Sequence, residues 1–306
     1  MYQMSVIIPT HNRPNLLLLA LKSINEQTVK PDEVIVVIDG ENKRTELFLE
    51  SFQSPYKIIT VKIEKSRGAC YARNLGATRA SGNILMFLDD DDNWEPDKIK
   101  DQLMVFTENP DVGLVYSGKL VVYNTNRNKV IRKIPAIASG NLYPKILEDN
   151  YIGTTSSVAL KKSVFEKAGG FDDNLPAMQD YDLWIRCCRI TKVAHDNKYN
   201  VRYTISKKAN TQISGRSENH HKALKYLFEK YNEILKGNEN HLKRRFMSSR
   251  FLHCSKAVHR TSYFYSLKFT CKSFYYYPNV KAVALLLPPF LLKYVSVLQS
   301  TNQNKT

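Results

Sequence analysis

Four consecutive aspartates, Asp89–Asp92, directly follow the short apolar run Ile84–Leu88. Such a run is typical of a buried strand, so the carboxylates are expected at the carboxyl end of a strand, where open α/β sheets bind ligands. Adjacent carboxylates repel one another; at an effective dielectric constant of about 20, a pair about 4 Å apart costs about 4 kcal/mol. Mg²⁺ or Mn²⁺ would offset that repulsion, because hard cations bridge one or two carboxylates to substrate phosphates. The segment therefore indicates a metal–diphosphate site; the alternative is a solvated loop that caps a helix starting near Pro96.

The chain before the aspartates alternates between apolar runs and helix-like stretches. This β-α-β-α-β-α-β order predicts a mostly parallel sheet with helices on both faces. The carboxyl ends of its strands would then bring three segments to one edge: Thr10-His11-Asn12, Asp39-Gly40 and Asp89–Asp92. The expected strands before Ile84 are Ser5–Ile8, Glu33–Ile38 and Lys57–Ile63, and the expected helices are Pro14–Glu26, Lys43–Phe52 and the one that a Gly loop, Ser66–Gly76, opens toward Ala80.

A second acidic motif, Gln179–Arg186, has the apolar spacing of a helix with Asp180 and Asp182 in its first turn. Acids there suit the helix dipole, so a purely structural role also explains them. The other expected elements are a helix at Pro96–Glu108, strands at Val112–Ser117, Thr154–Leu160, Val193–His195 and Val201–Ile205, and a hairpin of Lys119–Tyr123 with Lys129–Ile134.

The basic charge is concentrated in the last third of the chain. The 306 residues carry a formal net charge of +16, and residues 215–306 alone hold 16 Lys and Arg against 4 Asp and Glu. An excess of this size indicates an anionic partner, which could be a nucleotide, a nucleic acid or a membrane surface. We therefore predict a boundary near Gly215, between an α/β domain at residues 1–214 and a helical, basic region at residues 215–306.

The cysteines and apolar stretches exclude some classes of protein. Five cysteines without a Cys-x-x-Cys motif indicate neither a disulfide framework nor a zinc site, so a reducing compartment is expected. We find no secretory signal at the N-terminus. The longest uncharged apolar stretch, Ala282–Leu292, has 11 residues, well short of the roughly 20 that span a bilayer.

The motifs together resemble glycosyltransferase family 2. The resemblance covers about residues 4–205 and includes the opening strand Ser5–Arg13, the acidic turn Val36–Gly40, the Gly–Arg–Asn loop Gly68–Gly76, the Asp-x-Asp segment Phe87–Asp92 with Trp94, Pro96 and Asp97, and the segment Gly169–Asp172 with Gln179–Arg186. It implies the GT-A fold, a nucleotide-binding α/β domain with a mostly parallel sheet flanked by helices, here followed by a helical, basic C-terminal appendage.

The resemblance also implies roles for individual residues. Asp180 would be the catalytic base, and Asp91 would bind a divalent metal, Mg²⁺ or Mn²⁺, with Asp89 as a second ligand. Asp39 would accept a hydrogen bond from the nucleotide base, and its carboxylate suits the imide N–H of uracil, which favours a UDP-sugar donor. The residues implied in nucleotide or donor binding are Pro9, Thr10, Asn12, Arg13, Asp39, Gly68, Arg73, Asn74, Asp89 and Asp90. Structural alternatives remain for Asp39, as a turn residue, and for Arg73, as an ion-pair partner.

This chain departs from the family pattern at three places. The acidic turn has one acid, because Ile38 precedes Asp39, and the base motif begins with Gln179 instead of Glu. The stretch after the last strand has no histidine that could contact a metal, although Lys207 or Lys208 could bind diphosphate directly. The strictness of the metal requirement is therefore open.

The sequence thus predicts an inverting transferase that moves a sugar from a nucleotide-diphosphate donor to a glycan or lipid-linked acceptor, in bacterial surface polysaccharide synthesis. The basic and aromatic C-terminal region suits an anionic membrane surface, so a peripheral position on the cytoplasmic face is expected. No RNA-binding motif is visible, and no nucleic-acid partner is expected. The alternatives are a nucleotidyltransferase, which would need a Gly-rich, Lys-containing loop after the first strand, and a non-catalytic basic binding protein that keeps the fold.

Overall fold

The computed structural model describes residues 2–206, 217–236, 240–259 and 262–288. The chain divides into two compact units. The first comprises Met1–Ile146, Asn150–Asn174 and Gln179–Lys207; the second comprises Leu147–Asp149, Leu175–Met178 and the described residues that follow Lys208. The predicted boundary between residues 214 and 215 lies outside the described residues and stays a prediction, and Lys207 and Lys208 lie outside them as well.

A large sheet forms the centre of the first unit. Its strands are β1 (Met4–Thr10), β2 (Glu33–Asp39), β3 (Lys57–Ile63), β4 (Ile84–Phe87), β6 (Val112–Tyr116), β9 (Val158–Lys161) and β10 (Lys192–His195). They lie in the order β10-β6-β9-β4-β1-β2-β3. All neighbours are parallel except β9, which is antiparallel to both β4 and β6. The expectation of a mostly parallel α/β sheet is confirmed.

Helices flank this sheet: α1 (Pro14–Asn25), α2 (Lys43–Ser51), α3 (Ala69–Arg79), α4 (Lys98–Glu108), α5 (Lys162–Lys167) and α6 (Gln179–Cys188). Strands β1, β2 and β4 are buried along their whole length, as the near-continuous apolar runs of strands covered on both faces require. Helix α3 approaches β1 closely at Gly76, where an added Cβ would lie 2.5 Å from Cγ2 of Ile7. This close approach packs α3, and with it the Gly loop that opens the helix, against β1.

A second, four-stranded sheet contains β5 (Asn93–Trp94), β7 (Lys119–Tyr123), β8 (Asn126–Ile134) and β11 (Val201–Ile205) in the order β5-β11-β7-β8. The sequence analysis did not separate it from the large sheet, because β5 has only two residues and carries no periodic pattern. Trp94 pairs with Val201 in this sheet, while β4 belongs to the large one. Asp89–Asp92 therefore connect the two sheets.

The strand expected at Thr154–Leu160 begins later, at Val158, because Thr155–Ser157 form a 3₁₀ turn. Ser157 Oγ donates a hydrogen bond to the carbonyl of Thr154 at 2.6 Å. Local bonds of this kind compete with strand pairing. The correction matters for the site, since the turn places the side chain of Ser156 beside the aspartates.

The second unit is helical over its longer described segments, with α7 (Ser217–Lys230), α8 (Asn232–Lys236), α9 (Asn240–Val258), α10 (Tyr263–Tyr276) and α11 (Val280–Ala284). Helices α9 and α10 are joined by buried hydroxyls, among them Ser255 Oγ and Thr270 Oγ1 at 2.7 Å. Among the described residues, no helix has both the length and the apolar character needed to cross a membrane.

Candidate active site

The neighbouring parallel strands β1, β2 and β4 end at the same edge of the large sheet. Their registers pair Thr10 with Ile38 and Ile7 with Phe87. The segments that follow the three strands therefore begin side by side, as the sequence analysis expects. A fourth contributor, the N-terminal end of α3, lies against the same edge through the Asp39 contacts described below.

The aspartates alternate between buried and accessible positions. Asp90 and Asp92 are 0% and 1% exposed, whereas the side chains of Asp89 and Asp91 are 25% and 22% exposed. Consecutive carboxylates thus point in different directions, which relieves much of their mutual repulsion. Asp89 and Asp91 are the pair that a ligand can reach.

Each buried aspartate has partners of its own. Asp90 accepts a hydrogen bond from Thr10 Oγ1 at 2.8 Å and lies 2.6 Å from Arg13 Nη2. Burial nevertheless raises the pKa of Asp90 to about 7, against the opposing effect of Arg13. Asp90 therefore connects the end of β1 to the acidic segment from inside the protein.

Asp92 accepts hydrogen bonds from Ser156 Oγ at 2.6 Å and from the backbone N–H of Thr204 at 2.8 Å. Its burial, and then the charges of Asp91 and Asp89, hold the pKa of Asp92 well above its usual range. This side chain links the 3₁₀ turn at Thr155–Ser157 to β11 of the second sheet.

Arginines neutralise part of the charge of the accessible pair. Arg73 Nη2 lies 2.5 Å from Asp89 Oδ1 in a largely buried ion pair, and Thr155 Oγ1 donates to the other oxygen of Asp89 at 3.1 Å. Arg13 Nη1 lies 3.4 Å from Asp91 Oδ2. The two arginines therefore offset part of the charge of the four acids, a contribution that the electrostatic reasoning from sequence did not include.

The donor set still fits a hard cation. Asp89 and Asp91 are accessible and two residues apart, as two carboxylate ligands of one metal would be. Among the described residues, no group of three or more His, Cys, Asp or Glu is arranged to hold a metal. Mg²⁺ and Mn²⁺ commonly use only one or two carboxylates and complete their shell with phosphate oxygens and water, so this set matches a metal that arrives with a diphosphate.

Asp39 holds the loop that opens α3. Its carboxylate accepts hydrogen bonds from the backbone N–H groups of Arg67 at 2.7 Å and Gly68 at 2.9 Å, and from Ser66 Oγ at 2.8 Å. Gly68 has a φ of +90°, a conformation that favours glycine. Asp39 is thus more than a turn residue, and three of its roughly four acceptor positions are filled within the protein.

The remaining donor-binding candidates fall into two groups. Pro9 and Thr10 belong to the buried strand β1, and Asn12 follows with a φ of +54°, its Oδ1 accepting from Asn42 Nδ2 at 2.6 Å. The amide of Asn74 bonds instead to the backbone of Phe171, at 2.8 Å in both directions. Asn74 therefore ties α3 to the loop before α6, and its contact with a donor stays a prediction.

Asp180 stands in the first turn of α6, where it accepts a hydrogen bond from the backbone N–H of Tyr181 at 2.7 Å. Desolvation raises the pKa of Asp180, while the charges of Lys119 and Arg73 oppose that rise and the charge of Asp89 adds to it. Charges at the end of β4 and on α3 therefore act on Asp180. A desolvated carboxylate of raised pKa is suited to accept a proton.

Helix α6 is fixed by the rest of its motif. Trp184 is fully buried, and its Nε1 donates to the carbonyl of Gly153 at 2.8 Å, so it packs rather than stacking on a sugar. Arg186 pairs with buried Asp182 at 2.6 Å and donates to the carbonyl of Gly170 at 2.7 Å. The motif thus holds Asp180 on a rigid support.

Three residues that interact electrostatically with the aspartates were missed by sequence reasoning: Lys119, Arg127 and Tyr203. Arg127 bonds to the side chain of Asn93, and burial lowers its pKa against the charges of Asp90, Asp91 and Asp92. All three lie on strands of the second sheet. No sequence signal identifies them, because a polar residue in a hairpin strand usually faces solvent.

Comparison with known proteins places this geometry in a family. The model of "Glycosyl transferase family 2" matches residues 5–169. A Haemophilus influenzae protein named an uncharacterized glycosyltransferase is 31% identical over 232 residues, which cover 74% of this chain and 76% of that protein.

Solved structures share the fold. S. aureus TarS 1-349 in complex with UDP-GlcNAc matches with a TM-score of 0.58 and 16% identity, over 91% of this chain and 90% of that one. The mannosyltransferase PcManGT from Pyrobaculum calidifontis, in complex with GDP-Man and Mn²⁺, matches with a TM-score of 0.53 and 18% identity, over 93% of this chain and 78% of that one. The chain has the GT-A fold, is a glycosyltransferase, and belongs to glycosyl transferase family 2.

Proposed function

We propose that this protein is an inverting glycosyltransferase that moves a sugar from a nucleotide-diphosphate donor to a hydroxyl of a glycan or lipid-linked acceptor, in bacterial surface polysaccharide synthesis. The observation that carries the proposal is the meeting of Arg13, Arg73 and the four aspartates at one edge of the large sheet. The charges of Arg73 and Asp89 also act on the pKa of Asp180, which is the proton-accepting acid in this proposal. Family membership argues against the nucleotidyltransferase and against the non-catalytic binding protein.

The donor lies along the edge of the large sheet in this proposal. Asp39 has one acceptor position left for a base N–H and is fixed by the loop that it holds, which suits the imide of uracil and favours a UDP-sugar. Arg13 and Arg73 offer cationic groups to the diphosphate beside Asp89 and Asp91. Asp91, with Asp89, would hold Mg²⁺ or Mn²⁺, which as a Lewis acid offsets charge on the leaving diphosphate.

Transfer then proceeds by a single displacement. The acceptor oxygen forms its bond to the anomeric carbon as the bond from that carbon to the diphosphate oxygen breaks, and the hydroxyl proton passes to Asp180. A positioned base of this kind contributes about 10²–10⁴-fold to the rate. One displacement inverts the anomeric configuration, with no covalent sugar–enzyme intermediate.

A thermal-shift panel of UDP, GDP and TDP, each with and without MnCl₂, tests the donor half of the proposal. UDP with Mn²⁺ should give the largest rise in melting temperature, because a ligand that binds only the folded state stabilises it by mass action. UMP is the matched control, since it keeps the base but lacks the second phosphate. Equal shifts with UMP and UDP, or no shift with any diphosphate, would contradict the site.

The membrane part of the proposal is supported by the exposed face of α10. Phe264, Lys268, Lys272 and Tyr275 follow one another at helical spacing, and Phe264 and Tyr275 are 83% and 78% exposed. Aromatic and basic side chains on one helix face suit an anionic membrane surface. We assign this face to peripheral binding at the cytoplasmic side of the membrane.

Sedimentation with vesicles tests that assignment. Phe264→Ser with Tyr275→Ser should weaken binding to anionic vesicles, and about 0.5 M salt should remove the wild type, because salt screens exposed charges. Leu47→Ser is the control, an exposed apolar residue on α2. Unchanged vesicle binding by the double variant would rule out this face.

A further inference from the structure

The four aspartates form a tight turn directly after β4. Leu88 still follows the large sheet, because its N–H donates a backbone hydrogen bond to β1 at 3.0 Å. The chain then turns, and the N–H of Asp92 donates to the carbonyl of Asp89 at 2.9 Å. A backbone hydrogen bond over this spacing closes a β-turn. In this aspartate turn, Asp89 and Asp92 are the ends, and Asp90 and Asp91 are the two central residues.

Ser156 joins the two ends of the aspartate turn through one hydroxyl group. Its Oγ donates to the carboxylate of Asp92 at 2.6 Å and accepts a hydrogen bond from the backbone N–H of Asp89 at 3.2 Å. Ser156 is 0% exposed, so water does not compete for either bond. Since a hydroxyl both donates and accepts, this one buried side chain closes the turn a second time, beside the backbone bond.

The main chain of Ser156 holds the segment that leaves the turn. Its carbonyl accepts a hydrogen bond from Trp94 Nε1 at 2.8 Å, and Trp94 is itself buried. Trp94 also pairs with Val201 in the second sheet. Ser156 therefore contacts the chain before Asp91, at Asp89, and after it, at Asp92 and Trp94.

The central residues show what a fixed turn accomplishes. Asp90 is 0% exposed and bonds to Thr10 and Arg13 inside the protein, whereas the side chain of its neighbour Asp91 is 22% exposed. A β-turn of defined type sets the backbone dihedrals of both central residues. The outward direction of Asp91 therefore depends on the contacts that hold the ends of the turn.

We propose that Ser156 is a positioning residue for the metal–diphosphate site, whose hydroxyl closes the aspartate turn and so presents Asp91 to a divalent cation. This role rests on the proposed function, in which Asp91 with Asp89 holds Mg²⁺ or Mn²⁺. Residues that hydrogen-bond to metal-binding segments orient the ligands, and their loss typically costs about 10–100-fold in metal affinity. The buried 3₁₀ turn at Thr155–Ser157 thus contributes to metal affinity without touching the metal.

Mn²⁺ affinity in the presence of UDP, measured by electron paramagnetic resonance, tests this role. Ser156→Ala should weaken Mn²⁺ binding about 10-fold or more. Ser157→Ala is the matched control, because it makes the same change in the same turn. Ser157 is 1% exposed, and its hydroxyl donates to the carbonyl of Thr154 at 2.6 Å instead of to an aspartate. Its Mn²⁺ affinity should stay within about twofold of the wild type, well short of the loss expected for a supporting residue.

A double variant shows whether Ser156 acts through Asp91. Residues that act through one another have effects that do not add. Ser156→Ala should therefore change the Mn²⁺ affinity of Asp91→Asn by less than about twofold, although it weakens the wild type about 10-fold. If the two losses multiply instead, Ser156 does not position Asp91, and the proposal is wrong.

Ser156→Cys separates the hydrogen bonds from packing, and it takes the place of Ser156→Ala if that variant does not fold. A thiol fills the space of the hydroxyl but donates and accepts weakly, so Ser156→Cys should also lose Mn²⁺ affinity. Wild-type affinity in Ser156→Cys, or equal losses in Ser156→Ala and Ser157→Ala, overturns the proposal and leaves the metal site standing. A wild type that binds no Mn²⁺ with UDP overturns the metal site of the proposed function as well.

Discussion

The carboxylates proposed to hold the donor differ in their surroundings from the one proposed to accept the proton. Among the proposed donor-binding residues, Asp39 accepts three hydrogen bonds and Asp89 has both an arginine and a threonine as partners. The proposed base, Asp180, accepts one described hydrogen bond, from Tyr181, and burial raises its pKa. Binding anions benefits from a rigid, fully bonded frame, whereas accepting a proton benefits from a carboxylate that its surroundings do not fully satisfy.

Asp180→Asn should produce the largest effect of the changes considered. Asparagine keeps the shape of the side chain but cannot accept the acceptor proton, so turnover should fall by about 10²–10⁴-fold. Release of nucleotide diphosphate from radiolabelled donor measures turnover, and UDP affinity should stay within about twofold. Asp173→Asn, an exposed change in the preceding loop, is the control. Turnover near the wild-type level in Asp180→Asn would show that the base lies elsewhere.

Asp39→Ala should destabilise the loop that opens α3, because it removes the carboxylate that accepts hydrogen bonds from that loop. Hydrogen bonds to a charged group contribute about 1.5–3 kcal/mol each, but water can replace part of them because Ser66, Arg67 and Gly68 are exposed. We therefore expect the free energy of unfolding to fall by about 2 kcal/mol, as measured in urea, together with weaker UDP binding. A variant with normal stability and weak UDP binding would instead make Asp39 a pure base-binding residue.

The residues of the site also differ in how far sequence could predict them. Asp39, Asp89 and Asp180 follow strands or open a helix, where motif and periodicity locate them, and the large sheet follows from the same apolar runs. Lys119 and Tyr203 lie in a small sheet in which β11 pairs with β7, although the two strands are far apart in the chain. No local pattern encodes that pairing, because it arises from tertiary contacts between distant segments.

The balance of charge at Asp89–Asp92 was equally inaccessible from sequence. The four acids are adjacent in the chain. Arg13 and Arg73 contact them from other elements, however, and every second side chain of the segment points into the protein. The protein itself therefore relieves part of the repulsion between neighbouring carboxylates, and the accessible pair still suits a metal.

Asp91→Asn tests whether Asp91 is the main metal ligand among the proposed donor-binding residues. If Asp91 is the main metal ligand, Mn²⁺ affinity in the presence of UDP should fall at least about tenfold, because a neutral amide oxygen is a weaker ligand for a hard cation than a carboxylate. Electron paramagnetic resonance of free Mn²⁺ measures this directly. Asp97→Asn, a half-exposed change downstream, serves as the control. Equal Mn²⁺ affinity in both variants would indicate that the diphosphate alone carries the metal.

The smallest expected effect is on stability. Asp180→Asn should raise the free energy of unfolding, although it lowers turnover. Because the pKa of Asp180 is raised in the folded protein, the folded state binds more protons than the unfolded state between the two pKa values. The free energy of unfolding contributed by this group therefore falls as pH rises through that window. Above that window the ionised side chain lowers the free energy of unfolding, and Asp180→Asn removes that cost.

Above that window, Asp180→Asn should consequently be more stable than the wild type in urea, as expected when a functional residue held in an unfavourable state is replaced. The gain should shrink toward acid pH, where Asp180 of the wild type is protonated and resembles asparagine. Asp39→Asn should instead lose stability at pH 7, since the carboxylate of Asp39 accepts three hydrogen bonds from the loop that opens α3. A loss of stability in both variants would contradict the difference between Asp39, whose carboxylate the fold stabilises, and Asp180, whose carboxylate it destabilises.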